Sequence, residues 1–209
     1  WAWQTLKPQV TVHDINQVCD SITDMLAVPV QYVDSRAGIT NFVTAAANEI
    51  PQPHPNAIMG FTGKNIEAAY CLLQDSYRQN NPRSEAHRKL GIDIIETFTK
   101  LKMNPPAGEG FVMASGEPAL AIPANKVVYL RSFGDDMKMA ARAYLLEKQH
   151  GVEHPSWRQW LVGFGDWLLT QQGPEGQFPR TWHPGTGQVA DPSPQCTYNA
   201  IPFLVLLSE

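Results

Sequence analysis

The 209-residue chain is 43% hydrophobic and 17% charged, which is typical of one globular domain with a sizeable core and excludes a disordered chain. Its net charge of -4, with lysine and arginine scattered and never in a run, argues against a nucleic-acid-binding surface. No apolar stretch approaches the roughly 18 residues of a membrane span, so we predict no such span.

The cysteines and histidines do not follow the spacing of a metal site. The three cysteines are Cys19, Cys71 and Cys196. They are too few and too far apart for a disulfide framework or a zinc motif, so we expect small buried hydrophobic side chains. His150 and His154 are four residues apart, but Gly151 and Pro155 interrupt any helix, and we predict an exposed turn. We expect no metal and no other cofactor.

The first quarter of the chain predicts two helices. The first covers residues 11–27, with Thr11 as its cap and Asp14 three residues later. Its apolar stripe is Ile15, Val18, Ile22, Met25 and Leu26. Residues 28–33 are extended or a loop, because a proline stops the helix. Residues 35–49 are predicted as the second helix, which ends before a run of prolines.

Two helical hairpins follow. Apolar residues at helical spacing predict helices over residues 64–80 and 84–103, and again over residues 136–149 and 157–172. A last helix is predicted over residues 197–209, where Pro202 is tolerable only in the first turn. The pattern therefore predicts an all-α chain.

The two hairpins form an internal repeat. The segment AAYCLL at residues 68–73 resembles ARAYLL at 141–146, and Pro82 resembles Pro155, each pair being 73 residues apart (68 to 141 and 82 to 155). Repeated hairpins bury their apolar faces against one another, so we predict a single domain over residues 1–209. The last helix is typical of the first half of a third unit, which suggests a fragment of a larger ring.

The segments WLLTQQGPEGQFPRTW (residues 167–182) and YLRSFGDD (residues 129–136) resemble the helix–turn and inner-helix approach of the six-hairpin glycosidases. The resemblance covers residues 61–209. It implies an all-α fold of antiparallel helical hairpins, packed as a complete or partial (α/α) toroid, and an activity on polysaccharides. It also implies that the loops entering the inner helices share one face, which holds the substrate cleft. Those loops are residues 55–64, 104–135 and 173–197.

The spacing Gln172-x-x-x-Gly176-x-Phe178 is also similar to the repeat motif of terpene cyclases. Those enzymes need an aspartate-rich motif, which Gly134-Asp135-Asp136 matches only in part. In either family the glutamine satisfies free groups near the helix end, the glycine makes the turn and the aromatic ring packs the corner.

Four carboxylates are the candidates for catalysis: Asp135, Asp136, Asp191 and Glu175. Hydrolysis of a glycosidic bond needs one carboxyl that is protonated and a second that activates water or attacks. Adjacent side chains are too close for an inverting pair, so we expect one acid from Asp135 or Asp136 and its partner from Asp191 or Glu175. The competing interpretations are a helix cap for the first pair, a turn cap for Asp191 and a structural turn for Glu175.

The candidates for substrate binding are Arg131, Arg180, Trp182, His183, Tyr198 and Asn199. The arginines suit a sugar carboxylate, the aromatic rings suit a pyranose face and the amide suits hydroxyl groups. The competing interpretations are an ion pair with one of the acids for the arginines and packing in a corner for the aromatic side chains.

The expected function is glycoside hydrolysis on a poly- or oligosaccharide. The alternatives are a non-catalytic carbohydrate-binding or scaffolding module of the same fold, and a terpenoid-type cyclase. The expected partner is carbohydrate, with no nucleic acid, and the oligomeric state stays open. No signal peptide is visible, but the chain starts at Trp1, which leaves room for a removed one. We therefore lean towards a periplasmic or extracellular location.

Overall fold

Helices and short strands follow one another along the chain. The computed structural model describes residues 14–40, 43–44, 52–53, 56–60, 64–104, 107–120, 126–184, 186–195, 197–198 and 200–209. The helices are α1 (Ile15–Ala27), α2 (Asn65–Ser76), α3 (Pro82–Lys100), α4 (Leu130–Gln149), α5 (Pro155–Thr170) and α6 (Ala200–Leu207). The strands are β1 (Val30–Val33), β2 (Arg36–Ile39), β3 (Val43–Thr44), β4 (Gln52–Pro53), β5 (Asn56–Ala57), β6 (Met103–Asn104), β7 (Ala107–Val112), β8 (Pro118–Leu120), β9 (Val128–Tyr129), β10 (Thr181–Trp182) and β11 (Val189–Asp191).

The strands overturn the prediction of an all-α toroid. They pair antiparallel in small sheets, with β1 beside β2, β3 beside β4, β7 beside β5, β6 and β8, and β10 between β9 and β11. The segments that enter and leave the helices are long, and their backbone N–H and C=O groups need partners where they pack on the core. Antiparallel pairing supplies those partners, so the protein is mixed α/β.

The predicted helix over residues 35–49 is wrong where the structure describes it. Instead, β1 and β2 form a hairpin whose turn holds Asp34 in the left-handed region at φ 54°. Side chains from the helices fix β2, since Thr97 accepts from the Ala37 N–H at 2.8 Å and Asn65 accepts from the Ile39 N–H at 2.7 Å. Residues 41–42 and 45–49 of the predicted helix lie outside the described residues.

Both predicted helical hairpins are present, as α2 with α3 and α4 with α5. The first helices of the two hairpins, α2 and α4, pack side by side, while α3 contacts α5 and α6 packs on α4 and α5. Gly91 permits the close approach of α3 to α2, because a Cβ there would lie 2.8 Å from the Ala69 carbonyl oxygen and 2.7 Å from Leu73 Cγ. Large apolar side chains such as Phe98, Phe133 and Phe164 fill the shared core.

Two polar contacts show that α2 and α4 run in the same direction. The Gly60 N–H, just before α2, donates to Asp136 in the second turn of α4. At the other end the Tyr77 hydroxyl, just after α2, donates to Glu147 in the last turn of α4 at 2.7 Å. The segments that enter α2 and α4 therefore lie at one end of the molecule, which we call the entry end.

Helix α1 leaves much of its predicted apolar stripe exposed. Asp14 caps it by accepting from the Asn16 N–H, whereas the predicted cap, Thr11, lies outside the described residues. Much of the predicted apolar stripe faces outward, with Ile15 69% exposed and Met25 73% exposed, whereas Leu26 packs against the core. On the inner side, Asp20 and Asp24 make ion pairs with arginines that follow α2. Ion pairing therefore decides the orientation of this helix on the surface.

Two buried acids fix the opposite end of α2 and α4. Asp75 contacts Arg83 Nη1 at 2.8 Å and His87 Nδ1 at 2.9 Å. Glu147 has no solvent-exposed surface and contacts Tyr77, Arg88 and His154. Asp75 joins the last turn of α2 to α3, and Glu147 joins the last turn of α4 to α3 and to the residue before α5. We regard both clusters as structural.

Candidate functional site

The Asp135–Asp136 pair lies inside α4 and not at its start. The prediction began the helix at residue 136, but the helix begins at Leu130, with Tyr129 in the cap position. Both aspartates are therefore in the second turn, about 7.5 to 9 Å along the helix axis from Leu130. Neither can cap the helix, so the competing interpretation of the pair as a helix cap is wrong.

Asp136 is a buried carboxyl, with 3% of its surface exposed. Burial raises its pKa from 3.8 to about 8. The hydrogen bond from the Gly60 N–H and the positive charge of Lys64 lower this pKa, but burial outweighs them. The charged form is disfavoured because few groups replace the water that would otherwise surround it. Asp136 is therefore largely protonated at neutral pH.

Asp135 points towards the surface, with 27% of its side chain exposed. Its carboxylate contacts the ammonium group of Lys138, one turn further along α4. It also lies 3.6 Å from Lys64 Nζ, which in turn lies 2.5 Å from Glu67 Oε2. A carboxylate in contact with two lysines thus lies next to a buried, protonated one in the chain.

The segment opposite the pair has an unusual backbone. Gly60 has φ +96°, and a Cβ there would lie 3.6 Å from the ring of Phe133. Lys64, the residue before α2, has φ 51°, in the left-handed region that residues other than glycine rarely adopt. Strained positions of this kind are concentrated at functional sites. Lys64 is such a position beside Asp135, whereas Gly60 adopts its positive φ without strain because glycine has no Cβ.

Asp191 lies at the entry end of α4. In the sheet, Thr181 pairs with Asp191 on one side and with Tyr129 on the other, and Tyr129 directly precedes α4. Hydrogen bonds from Ser193 hold the Asp191 pKa below its usual range, and Arg180, with Nη1 3.6 Å from Asp191 Oδ2, adds to this. The Arg180 guanidinium also lies 5.4 Å from the centre of the Tyr129 ring.

The other candidates for substrate binding differ in exposure. Trp182 is fully buried, and its Nε1 donates to Gln171 at 3.0 Å, so this ring packs a corner and offers no face to a sugar. Arg131 and His183 are exposed, and Tyr198 is 65% exposed just before α6. Asn199 lies outside the described residues.

Glu175 belongs to a turn that has a structural role. Gln172 Nε2 donates to the Gly176 carbonyl at 3.1 Å, Gly176 has φ +82° and Phe178 is buried. The structural interpretation of this motif is confirmed: the amide satisfies the turn, glycine makes it and the ring packs the corner. Glu175 itself is exposed on the turn.

The histidine turn is only partly exposed. His150 is exposed but stacks on Tyr77 at 3.7 Å between ring centres. His154 is half-buried, contacts Glu147 at 3.0 Å and stacks on Trp157. Within the described ranges, no three His, Cys, Asp or Glu side chains group as metal ligands. Cys19 and Cys71 are half-buried free thiols, and Cys196 is not described.

Sequence reasoning missed Gly60, Lys64, Glu67 and Lys138 as parts of the site. Their contacts with the aspartates join α2 to α4, which no local periodicity encodes. A glycine four residues before a lysine at a helix start was the available signal, but it is common in proteins and carries little weight.

The sequence matches no protein-family model, and no curated protein is significantly similar to it. Among the described helices, none combines the length and apolar character needed to cross a membrane.

Proposed function

We propose that this protein processes carbohydrate by hydrolysing glycosidic bonds, with the buried carboxyl of Asp136 as the proton donor. The supporting observation is the burial of Asp136, which raises its pKa to about 8. A general acid must hold its proton at the working pH and still release it in the reaction, and the best pKa for this lies near that pH. Glycoside hydrolysis requires such an acid at the leaving oxygen.

Asp191 is the proposed second carboxylate. Hydrogen bonds from Ser193 lower its pKa, so it is ionised at neutral pH, when Asp136 is protonated. Two carboxyl groups whose surroundings move their pKa values apart are suited to the roles of acid and base. Asp135 is less suitable, because it adjoins Asp136 in the chain and pairs with Lys138.

The proposed reaction balances with water as the only co-reactant. Asp136 gives its proton to the glycosidic oxygen as the bond from that oxygen to the anomeric carbon breaks. A water molecule attacks the anomeric carbon, and Asp191 accepts the proton that the water loses. Arg131 and Arg180 supply positive charge at the entry end for acidic or hydroxyl groups of the sugar.

The test is release of reducing sugar from a panel of oligosaccharides by the wild type, Asp136→Asn and Asp166→Asn. Asp166 is an exposed acid on α5 and serves as the matched control. We expect hydrolysis by the wild type and the control, and a rate about 10²- to 10⁴-fold lower for Asp136→Asn. Full activity in Asp136→Asn would overturn the proposal, as would the failure of the wild type to hydrolyse any glycan.

A non-catalytic carbohydrate-binding module is the second candidate. It is favoured by the 3% exposure of Asp136, which leaves little of this carboxyl in contact with solvent. It predicts that immobilised glycans retain the wild type and Asp136→Asn equally, with no sugar released by either. Retention combined with hydrolysis that depends on Asp136 would exclude it.

A further inference from the structure

Lys64 has an unfavourable backbone conformation without a capping role to explain it. Its φ of 51° lies in the left-handed region, which glycine and asparagine occupy far more readily than lysine. It occupies the N-cap position of α2, yet its side chain makes no capping hydrogen bond. A residue held in this way usually has contacts that compensate for the strain.

Those contacts lie between α2 and α4. Lys64 Nζ is 2.5 Å from Glu67 Oε2 on its own helix and 3.6 Å from Asp135 Oδ2 on the neighbouring helix. A second ammonium group, that of Lys138, also pairs with Asp135. Because 40% of the Lys64 side chain is exposed, its ammonium group lies at the surface directly beside the acid pair.

Asp136 is surrounded by a small set of charged and polar groups. Lys64 and Glu67 face it from α2, the Gly60 N–H faces it from the preceding segment, and Asp135 precedes it on α4. Asp135 and Glu67 favour the protonated form of Asp136, whereas Lys64 and the Gly60 N–H favour its ionised form. The Lys64 charge therefore opposes the two acids with which it is paired.

We propose that Lys64 is a positioning residue, whose left-handed backbone holds its ammonium group between Glu67 and Asp135, so that its charge offsets theirs and Asp136 can release its proton. The inference rests on the proposed function of Asp136 as a proton donor. Without the Lys64 charge, Glu67 would lose this ammonium partner and Asp135 would keep only Lys138, so the two acids would hold the Asp136 proton more firmly.

The test is titration of the Asp136 carboxyl carbon by NMR in the free protein, with Asp136→Asn used to assign the signal. The variants are Lys64→Met, Lys64→Arg and Lys64→Gly. We expect Asp136 to bind its proton about tenfold more tightly in the Met and Gly variants, because an opposite charge at this range shifts a carboxyl by about one pKa unit or more. Lys64→Arg keeps the charge and should titrate within about twofold of the wild type.

Lys64→Gly separates charge from backbone strain, since glycine adopts the left-handed conformation freely and removes the ammonium group. Near-ultraviolet circular dichroism establishes that each variant keeps its packing. Wild-type titration of Asp136 in both Lys64→Met and Lys64→Gly would overturn the inference. If the midpoint moves as expected but the wild type hydrolyses no glycan, the hydrolase proposal fails and the role of Lys64 in setting the protonation of Asp136 remains.

Discussion

The backbone N–H of Gly60 donates a hydrogen bond to Oδ2 of Asp136, 76 residues further along the chain. This bond joins the segment before α2 to the second turn of α4, and it encloses a carboxyl that burial keeps protonated. The relationship links fold and chemistry, because the contact that closes the core here also removes Asp136 from water.

Asp136 is expected to make the protein less stable as the pH rises. Its pKa is raised from 3.8 to about 8, so between these values the folded protein holds a proton that the unfolded chain has released. The free energy of unfolding should then fall with increasing pH by about 1.4 kcal/mol per unit from this group. Asp136→Asn removes this titrating group. The free energy of unfolding of the variant, relative to that of the wild type, should therefore rise by about 1.4 kcal/mol per pH unit.

Urea denaturation of both proteins at about pH 5, 6 and 7 measures this difference. A stability difference between wild type and Asp136→Asn that does not change with pH would contradict the raised pKa. If the Asn variant gains stability relative to the wild type as the pH rises and also loses hydrolysis, the wild type keeps Asp136 for activity at the expense of stability.

Glu147 should have the opposite pH dependence. Burial alone would raise its pKa, but hydrogen bonds from His154, Tyr77 and Arg88 outweigh burial and lower it. Its contribution is therefore present above the pKa of the unfolded chain and is lost as the pH falls through the folded value. Glu147→Gln should cost about 3–5 kcal/mol at neutral pH, because it removes the buried negative charge that Arg88 contacts.

The matched control for Glu147 is Glu117→Gln, which alters an exposed acid and should change stability by less than about 0.5 kcal/mol. Thermal unfolding of both variants at neutral pH and at about pH 3.5 gives the comparison. The cost of Glu147→Gln should shrink at the lower pH. An equal cost at both pH values would show that shape, and not charge, holds this cluster together.

Gly91 and Gly163 should respond in opposite ways to alanine. Both lie within helices, where alanine is favoured over glycine by about 1 kcal/mol. At Gly163 nothing lies within 4 Å of the added Cβ, so Gly163→Ala should stabilise the protein. At Gly91 the Cβ would lie 2.8 Å from the Ala69 carbonyl oxygen, so Gly91→Ala should destabilise it by about 1–3 kcal/mol. Chemical denaturation with equal effects at both positions would contradict the close packing of α2 and α3.

The helical hairpins were predictable because their apolar residues recur at helical spacing over three turns or more. Apart from the extended segment at residues 28–33, which contains β1, the strands were not, because most are two to four residues long and depend on distant partners. The backbone N–H groups of Ala37 and Ile39 in β2 donate to Thr97 and Asn65 on the helices. No alternation of apolar and polar residues within residues 36–39 predicts these contacts. Local pattern therefore favoured a helix where tertiary contacts form a strand.

The orientation of α1 shows the same limit. Its apolar stripe predicted burial of residues such as Ile22 and Met25, yet both are more than half exposed. Asp20 and Asp24 on the other side of the helix pair with Arg78 and Arg83, which follow α2. A charge pairing across some 60 residues cannot be read from helical periodicity.

The candidate site was predictable only in part. The carboxyl pair stood out in the sequence because the preceding repeat has no acid at the equivalent place. The difference between Asp135 and Asp136 was not visible, because it depends on distant contacts, that of Gly60 with Asp136 and that of Lys64 with Asp135. Trp182 was a reasonable sugar platform by residue type, but its ring lies in the core beside Trp167.

Direct titration of Asp136 in the wild-type protein is the measurement that tests this account most directly. Aspartate carboxyl carbons are labelled, and the signal missing from Asp136→Asn is followed by NMR from about pH 3 to pH 10. The structure predicts a midpoint near a pKa of about 8, with the group protonated at neutral pH. A midpoint near the ordinary value of 3.8 would contradict the account, because an ionised Asp136 cannot donate a proton.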